Sequence, residues 1–169
     1  MIKKILLFVL VVFPAMSFAQ ENQKIAYMNY IDVVTSMPEY KLMLDSLQKE
    51  ANEYMADLQE MENDYQRKMS ELTSRQDSLS ETIKLRKYRE IEDIKLAADN
   101  LQKQAMQEQQ RLEQTLLAPI EAKARKAINE VSAENNFLYV IPNDPQLLLY
   151  ISPNAIDATP LVRKKLGLQ

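Results

Sequence analysis

Cysteine, histidine and tryptophan are absent from this 169-residue chain, and Gly167 is its only glycine. Each absence removes a class of chemistry. Without cysteine no disulfide forms in any compartment, and Cys/His zinc sites are excluded. Without histidine the commonest general base is missing. Walker and Rossmann loops need glycines where backbone approaches phosphate, so nucleotide sites of those kinds are excluded as well. Scarce glycine beside 27 % charged residues is the signature of long helices rather than of a turn-rich globule.

Long hydrophobic runs are scarce too. The prominent one follows Lys3 and Lys4: apolar residues from Ile5 to Phe13, a break at Pro14, then Ser17-Phe18-Ala19 with small residues three and one before a cut ahead of Gln20. Residues 1–19 therefore read as a cleaved secretory signal rather than a retained anchor, since a membrane span needs about 20 apolar residues. No cysteine follows the run, so lipoprotein-type attachment is excluded and the mature chain is expected to be exported and soluble. Taking Lys3 and Lys4 from the 21 basic residues leaves 19 against 24 acidic ones, a formal charge of −5. A general nucleic-acid binder needs net basic surface to displace counterions, and none is expected here.

What the chain does have is helical periodicity. Tyr40, Leu44, Leu47, Ala51, Tyr54, Leu58, Met61 and Tyr65 alternate in steps of four and three, a seam of period 3.5 that requires a partner helix. After a shifted turn through Met69 and Leu72, the run Ile91, Ile94, Ala98, Leu101, Ala105 and Leu112 supplies that partner from the same chain. The spacing predicts an antiparallel helical-hairpin arm over residues 36–134. Its first helix starts between Ser36 and Glu39, with Pro38 suited to a first turn, and runs roughly 37 residues or about 55 Å. Polar residues from Thr73 to Ser80 place the tip there, with Ser78 and Glu81 spaced as a capping box. The alternative is one continuous helix through the tip. Pro119 interrupts the returning helix, either as a bend that follows the partner or as a hinge where arm meets base.

The flanks are β-prone. Residues 24–30 read as a strand, and Asp32, Thr35 and Ser36 are all competent helix caps. Asn135-Asn136 ends the arm, Phe137 to Ile141 is a second strand, Pro142-Asn143-Asp144-Pro145 is turn chemistry, and Leu147 to Ile151 is a return strand. Both later strands are continuous apolar runs, which predicts burial on both faces. Thr159-Pro160 opens a terminal helix that Gly167 closes. The fold class is α+β, mainly α: a long coiled-coil hairpin on a small β-rich base formed by residues 20–35 and 135–169. That base is too small to bury its own apolar strands or to cover its sheet edges. Leu42, Met43, Leu117 and Ile120 add a second apolar face at the arm roots. Self-association through Ile25, Tyr27, Phe137, Tyr139, Ile141, Leu147, Leu149 and Ile151 meets both needs, with copy number left open.

These elements in this order resemble the Skp/OmpH family of periplasmic chaperones. The residues that carry the likeness are Lys24-Ile25-Ala26-Tyr27-Met28-Asn29-Tyr30 with Asp32 after it, Ser36-Met37-Pro38-Glu39-Tyr40-Lys41 opening the arm, Pro119-Ile120 with Lys123, Ala127-Ile128 and Val131, the strand before Pro142, and Asp157-Ala158-Thr159-Pro160 leading to Lys164-Lys165-Leu166-Gly167. The resemblance spans the mature chain. It implies a jellyfish-like homotrimer with a β-rich body and three helical tentacles around a cavity, which holds unfolded outer-membrane proteins after export and uses no ATP or other cofactor. The best-known members are strongly basic, whereas this chain has a pI near 5.2. Contact with anionic membrane surfaces is the part of the likeness that this departure weakens.

A holdase needs flexible apolar side chains that grip many sequences weakly. Met43, Met55, Met69 and Met106 lie off the main seam and are candidates to line the cavity; the competing reading is that they only widen the arm core. Lys84, Arg86, Lys87 and Arg89, with Lys95 beyond them, form the dense basic cluster, just past the tip. They suit acidic lipid head groups or acidic client segments, or else, with Glu81, Glu90, Glu92 and Asp93 interleaved, an internally paired solvated face. No acidic residue is set in an apolar pocket that would raise its pKa, and Asp32 reads as a helix cap, so neither a catalytic nor a metal site is expected. The rival function is a structural coiled coil of the envelope that spaces or tethers layers. Absence of an anchoring cysteine, the seam shift near Met69 and the break at Pro119 favour a released, flexible clamp. A helper subunit docked on a larger assembly is a third reading.

Overall fold

The computed structural model describes residues 24–168, which divide into two units: residues 24–34 with 123–168, and residues 35–122. The expected signal segment lies outside the described residues.

The first unit is built on a three-stranded parallel sheet. Strand β1 (Lys24–Met28) is followed by the short helix α1 (Tyr30–Thr35) and lies between β2 (Phe137–Pro142) and β3 (Ile156–Asp157). From Ile25 to Met28 burial alternates, with Ala26 and Met28 buried and their neighbours not. They pack with Val33, with Ala127 and Val131 from the returning long helix, and with Ala158 and Val162, forming the core of the unit. The closing helix, labelled α4 (Thr159–Leu166), ends at Gly167 with φ 73°. The Gly167 N–H donates to the Lys164 carbonyl at 3.1 Å and the Leu168 N–H to the Arg163 carbonyl at 2.9 Å, a Schellman closure that requires the left-handed residue.

Side chains lock these pieces together. Asn29, rather than Asp32, caps α1: its Oδ1 accepts the Asp32 N–H at 3.1 Å, while its own N–H donates to Thr159 Oγ1 at 3.0 Å. The Asp32 carboxylate instead accepts from Arg163 at 3.0 Å. Lys165 donates to Glu134 at 2.6 Å and lies 3.2 Å from Glu130. These hydrogen bonds, to Glu134 first and then Glu130, raise the Lys165 pKa above 10.5.

The expected return strand at residues 147–151 does not form, and burial on both faces of the later strands is not seen within one chain. Asp144 is the cause. Its carbonyl accepts the Leu147 and Leu148 N–H groups, and its carboxylate accepts that of Gln146 at 2.8 Å, so turn geometry continues into the apolar run. Residues 143–155 then form an irregular crossover, long enough to bring β3 back parallel to β1 on the side opposite β2.

The second unit is a helical hairpin. Helix α2 (Pro38–Ser74) has Pro38 at its first position and meets a 3₁₀ turn, Gln76–Ser78, before α3 (Glu81–Asn135) begins. No capping box forms between Ser78 and Glu81: the Ser78 hydroxyl turns back to the Arg75 carbonyl, and Ser80 takes the capping position, its carbonyl accepting the Lys84 N–H at 3.0 Å. Helix pairing is antiparallel, as two ion pairs demonstrate: stepping from Lys68 to Glu71 along α2 steps from Glu90 back to Lys87 along α3. Helix α3 continues through Pro119, and Asn136, with φ 57°, terminates it in the left-handed region.

Candidate functional site

The candidate residues fall on two surfaces, one in each unit. In the strand unit, register decides which candidates meet. Ile25 pairs with Tyr139 and Tyr27 with Ile141, and paired residues share a face, so these four side chains stand together on the side of the sheet away from Ala26 and Met28. Tyr139 is 62 % exposed and Ile25 about half exposed. A single chain thus leaves Ile25 and Tyr139 of this face in water, with Tyr27 and Ile141 half-buried beside them. Phe137 differs from its companions: a bulge between Lys24 and Ile25 shifts the register, and Phe137 packs against the core. It also lines a groove of ≈ 520 Å³ bounded by Ile128, Asn129 and Ser132 of α3 and by Leu138, on the outer edge of the sheet. Leu147 and Leu149 are exposed on the crossover, Leu149 completely, while Ile151 is half-buried.

In the hairpin, the four methionines separate. Met43 is 4 % exposed and buried within a single chain. The seam at the start of α2 passes through Tyr40, Met43 and Leu47, leaving Leu44 in solvent, because helical spacing admits three before four as readily as four before three. Met69 is half-buried. Met55 and Met106 are each 67 % exposed and come together across the hairpin, lining one small groove with Tyr54 and Ala105. Sequence reading passed over the exposed stripe Leu85, Tyr88 and Leu96, whose steps of three and eight place them on one helical face outside the seam.

Of the basic cluster, three members are paired. Lys84 donates to Glu81 at 2.8 Å, which raises its pKa; Arg86 lies 3.6 Å from Glu90; and Lys87 lies 3.8 Å from Glu71 on the opposite helix. Arg89 is exposed and makes no ion pair among the described residues. The arrangement is chiefly that of a paired surface, with Arg89 and the exposed Lys95 making no ion pair among the described residues. Among the described residues no helix is long and apolar enough to cross a membrane.

A small parallel sheet whose central strand β1 is joined to the outer strand β2 by a long helical hairpin is a distinctive arrangement, and the family model for outer membrane protein (OmpH-like) matches residues 24–166, nearly all of the described chain. The chain belongs to the OmpH-like family. A solved structure, that of a candidate outer membrane chaperone (OmpH-like) from Caulobacter crescentus CB15, is similar in fold, with a TM-score of 0.74 over 85 % of this chain and 83 % of that one. At 13 % identity the likeness is one of architecture. No curated protein matches by sequence. The OmpH-like family accounts for a long helical hairpin and a small strand unit in one chain.

Proposed function

We propose that this protein is an ATP-independent holdase chaperone of the periplasm. Three copies join through their strand units, and unfolded outer-membrane proteins are held between the arms and kept from aggregating. The observation that carries this reading is a hairpin that keeps flexible apolar side chains in water, Met55 and Met106 above all. Membership of the OmpH-like family and a neighbour named as an outer membrane chaperone support it. Within this reading, Ile25, Tyr27, Tyr139 and Ile141 are the contact between copies, and Pro119 is the hinge that lets an arm swing. Arg89 offers weak contact to an anionic surface.

The test is light scattering of an unfolded outer-membrane barrel diluted from urea, with and without the mature chain at known mass and without ATP. Suppression near one trimer per barrel is expected. Scattering unchanged by an assembled trimer would instead favour a structural coiled coil of the envelope. Replacing Met55, Met69 and Met106 together with glutamine should weaken suppression while leaving helix content and mass intact; full activity in that variant excludes the methionines as the grip.

A further inference from the structure

Met61 of α2 and Ile94 of α3 stand between two grooves and line both. Adjacent alanines open them: Ala97 lines one and Ala98 the other, and a side chain that short leaves room on either flank of the hairpin seam. The grooves are similar in size, ≈ 470 and ≈ 420 Å³, but their rims differ. In the larger, Asp57, Glu60 and Asp64 rise beside a floor of Met61, Ile94 and Leu101, and no basic residue lines it. Arg67 is paired with Asp64 and reaches Glu71, while Asp57 and Glu60 have no ion-pair partner among the described residues. The smaller groove sets Lys95 against Glu62 and Asp99.

We propose that the larger groove docks cationic apolar segments of the held protein, stretches in which lysine or arginine alternates with leucine-like side chains. This rests on the holdase reading and gives it a substrate class. Apolar contact with Met61, Ile94 and Leu101 is tolerant of sequence, and long basic side chains lay their stems on such a floor while their heads reach a carboxylate rim. Acidic segments of equal hydrophobicity are repelled by the same rim, so the groove selects by charge what it grips by apolar surface.

Fluorescence anisotropy with the assembled mature protein tests this, using labelled peptides of alternating leucine and lysine or alternating leucine and glutamate. The lysine peptide should bind about tenfold tighter, with the advantage shrinking as salt screens the exposed rim. Asp57→Asn with Glu60→Gln should weaken it about fivefold, whereas the control Glu62→Gln with Asp99→Asn, on the opposite groove, should leave it unchanged. All four sites are exposed, and circular dichroism checks that both variants remain folded. Equal binding of the two peptides, or equal loss in the two double variants, overturns the proposal. The scattering assay run on the same preparation separates the levels: suppression without peptide discrimination overturns the groove alone, and loss of both overturns the holdase reading with it.

Discussion

At the scale of single residues, the chain carries methionines of identical chemistry in opposite environments. Met28, 2 % exposed, is one of the largest wholly enclosed side chains of the strand unit, while Met55 stands in water. Met28→Ala should cost about 2–5 kcal/mol in urea unfolding, and Met55→Ala less than about 0.5 kcal/mol. Comparable losses at both positions would contradict the burial pattern. Gly167 isolates a different term. Nothing lies within 4 Å of where its Cβ would be, so Gly167→Ala meets no clash and pays only for the left-handed backbone, about 1 kcal/mol. Gly167→Asn should cost less, because asparagine tolerates that conformation. The role of Gly167 was legible in sequence, since closure of a terminal helix is what a lone glycine after Leu166 does best. Met43 was not: its assignment depends on which of two adjacent apolar residues begins the seam, and only packing chooses.

At the scale of elements, α3 carries a proline that the helix absorbs without ending. Pro119 offers no N–H to the Thr115 carbonyl, a loss that costs up to about 3 kcal/mol in a helix interior. Pro119→Ala should therefore raise the thermal midpoint of helix loss followed by circular dichroism. If Pro119 is a working hinge, the same variant should release bound client more slowly. The contact between α4 and α3 has a pH signature. Because Glu134 and Glu130 raise the Lys165 pKa above 10.5, the stabilisation is complete below the unfolded value and is lost as pH rises through the higher folded one. Melting curves from about pH 9 to about pH 12 should show an alkaline loss that Lys165→Met reduces. A loss unchanged in that variant would mean the ion pair does not tie the helices. The crossover shows the limit of local reading: Leu147 to Ile151 has the composition of a strand, but Asp144 captures its first N–H groups in a turn, and β-propensity yields to that competition.

At the scale of the whole molecule, the uncovered sheet face is the feature with the largest consequence. Tyr139 and Ile141 on β2, beside Ile25 and Tyr27, are apolar surface that a second copy would remove from water. Tyr139→Glu places a charge in the proposed contact and should lower the mass measured by light scattering from that of the proposed trimer to that of a monomer, whereas Lys164→Glu, at an exposed position of α4, should not. In the unsubstituted protein the thermal midpoint should rise with concentration, as it does when folding and assembly are linked. A midpoint independent of concentration, with monomer mass, would remove the proposed assembly.

Sequence by itself determined the two long helices, their approximate ends and their pairing, but not the short α1, whose first residue, Tyr30, falls in the stretch expected to be strand. A period of 3.5 over so many turns admits few other solutions, and the lack of glycine denies the chain the turns that would break it. It also determined that the base would be short of core, because apolar strands outnumber the residues available to cover them. Tertiary structure decided what local pattern leaves open: that three strands run parallel rather than as a hairpin, that Phe137 faces inward while Tyr139 faces out, and that acidic residues of α2 rim a groove floored partly by α3. Each of these depends on register between segments far apart in the chain, where a shift of one residue in a strand exchanges its two faces and no nearby residue records the choice.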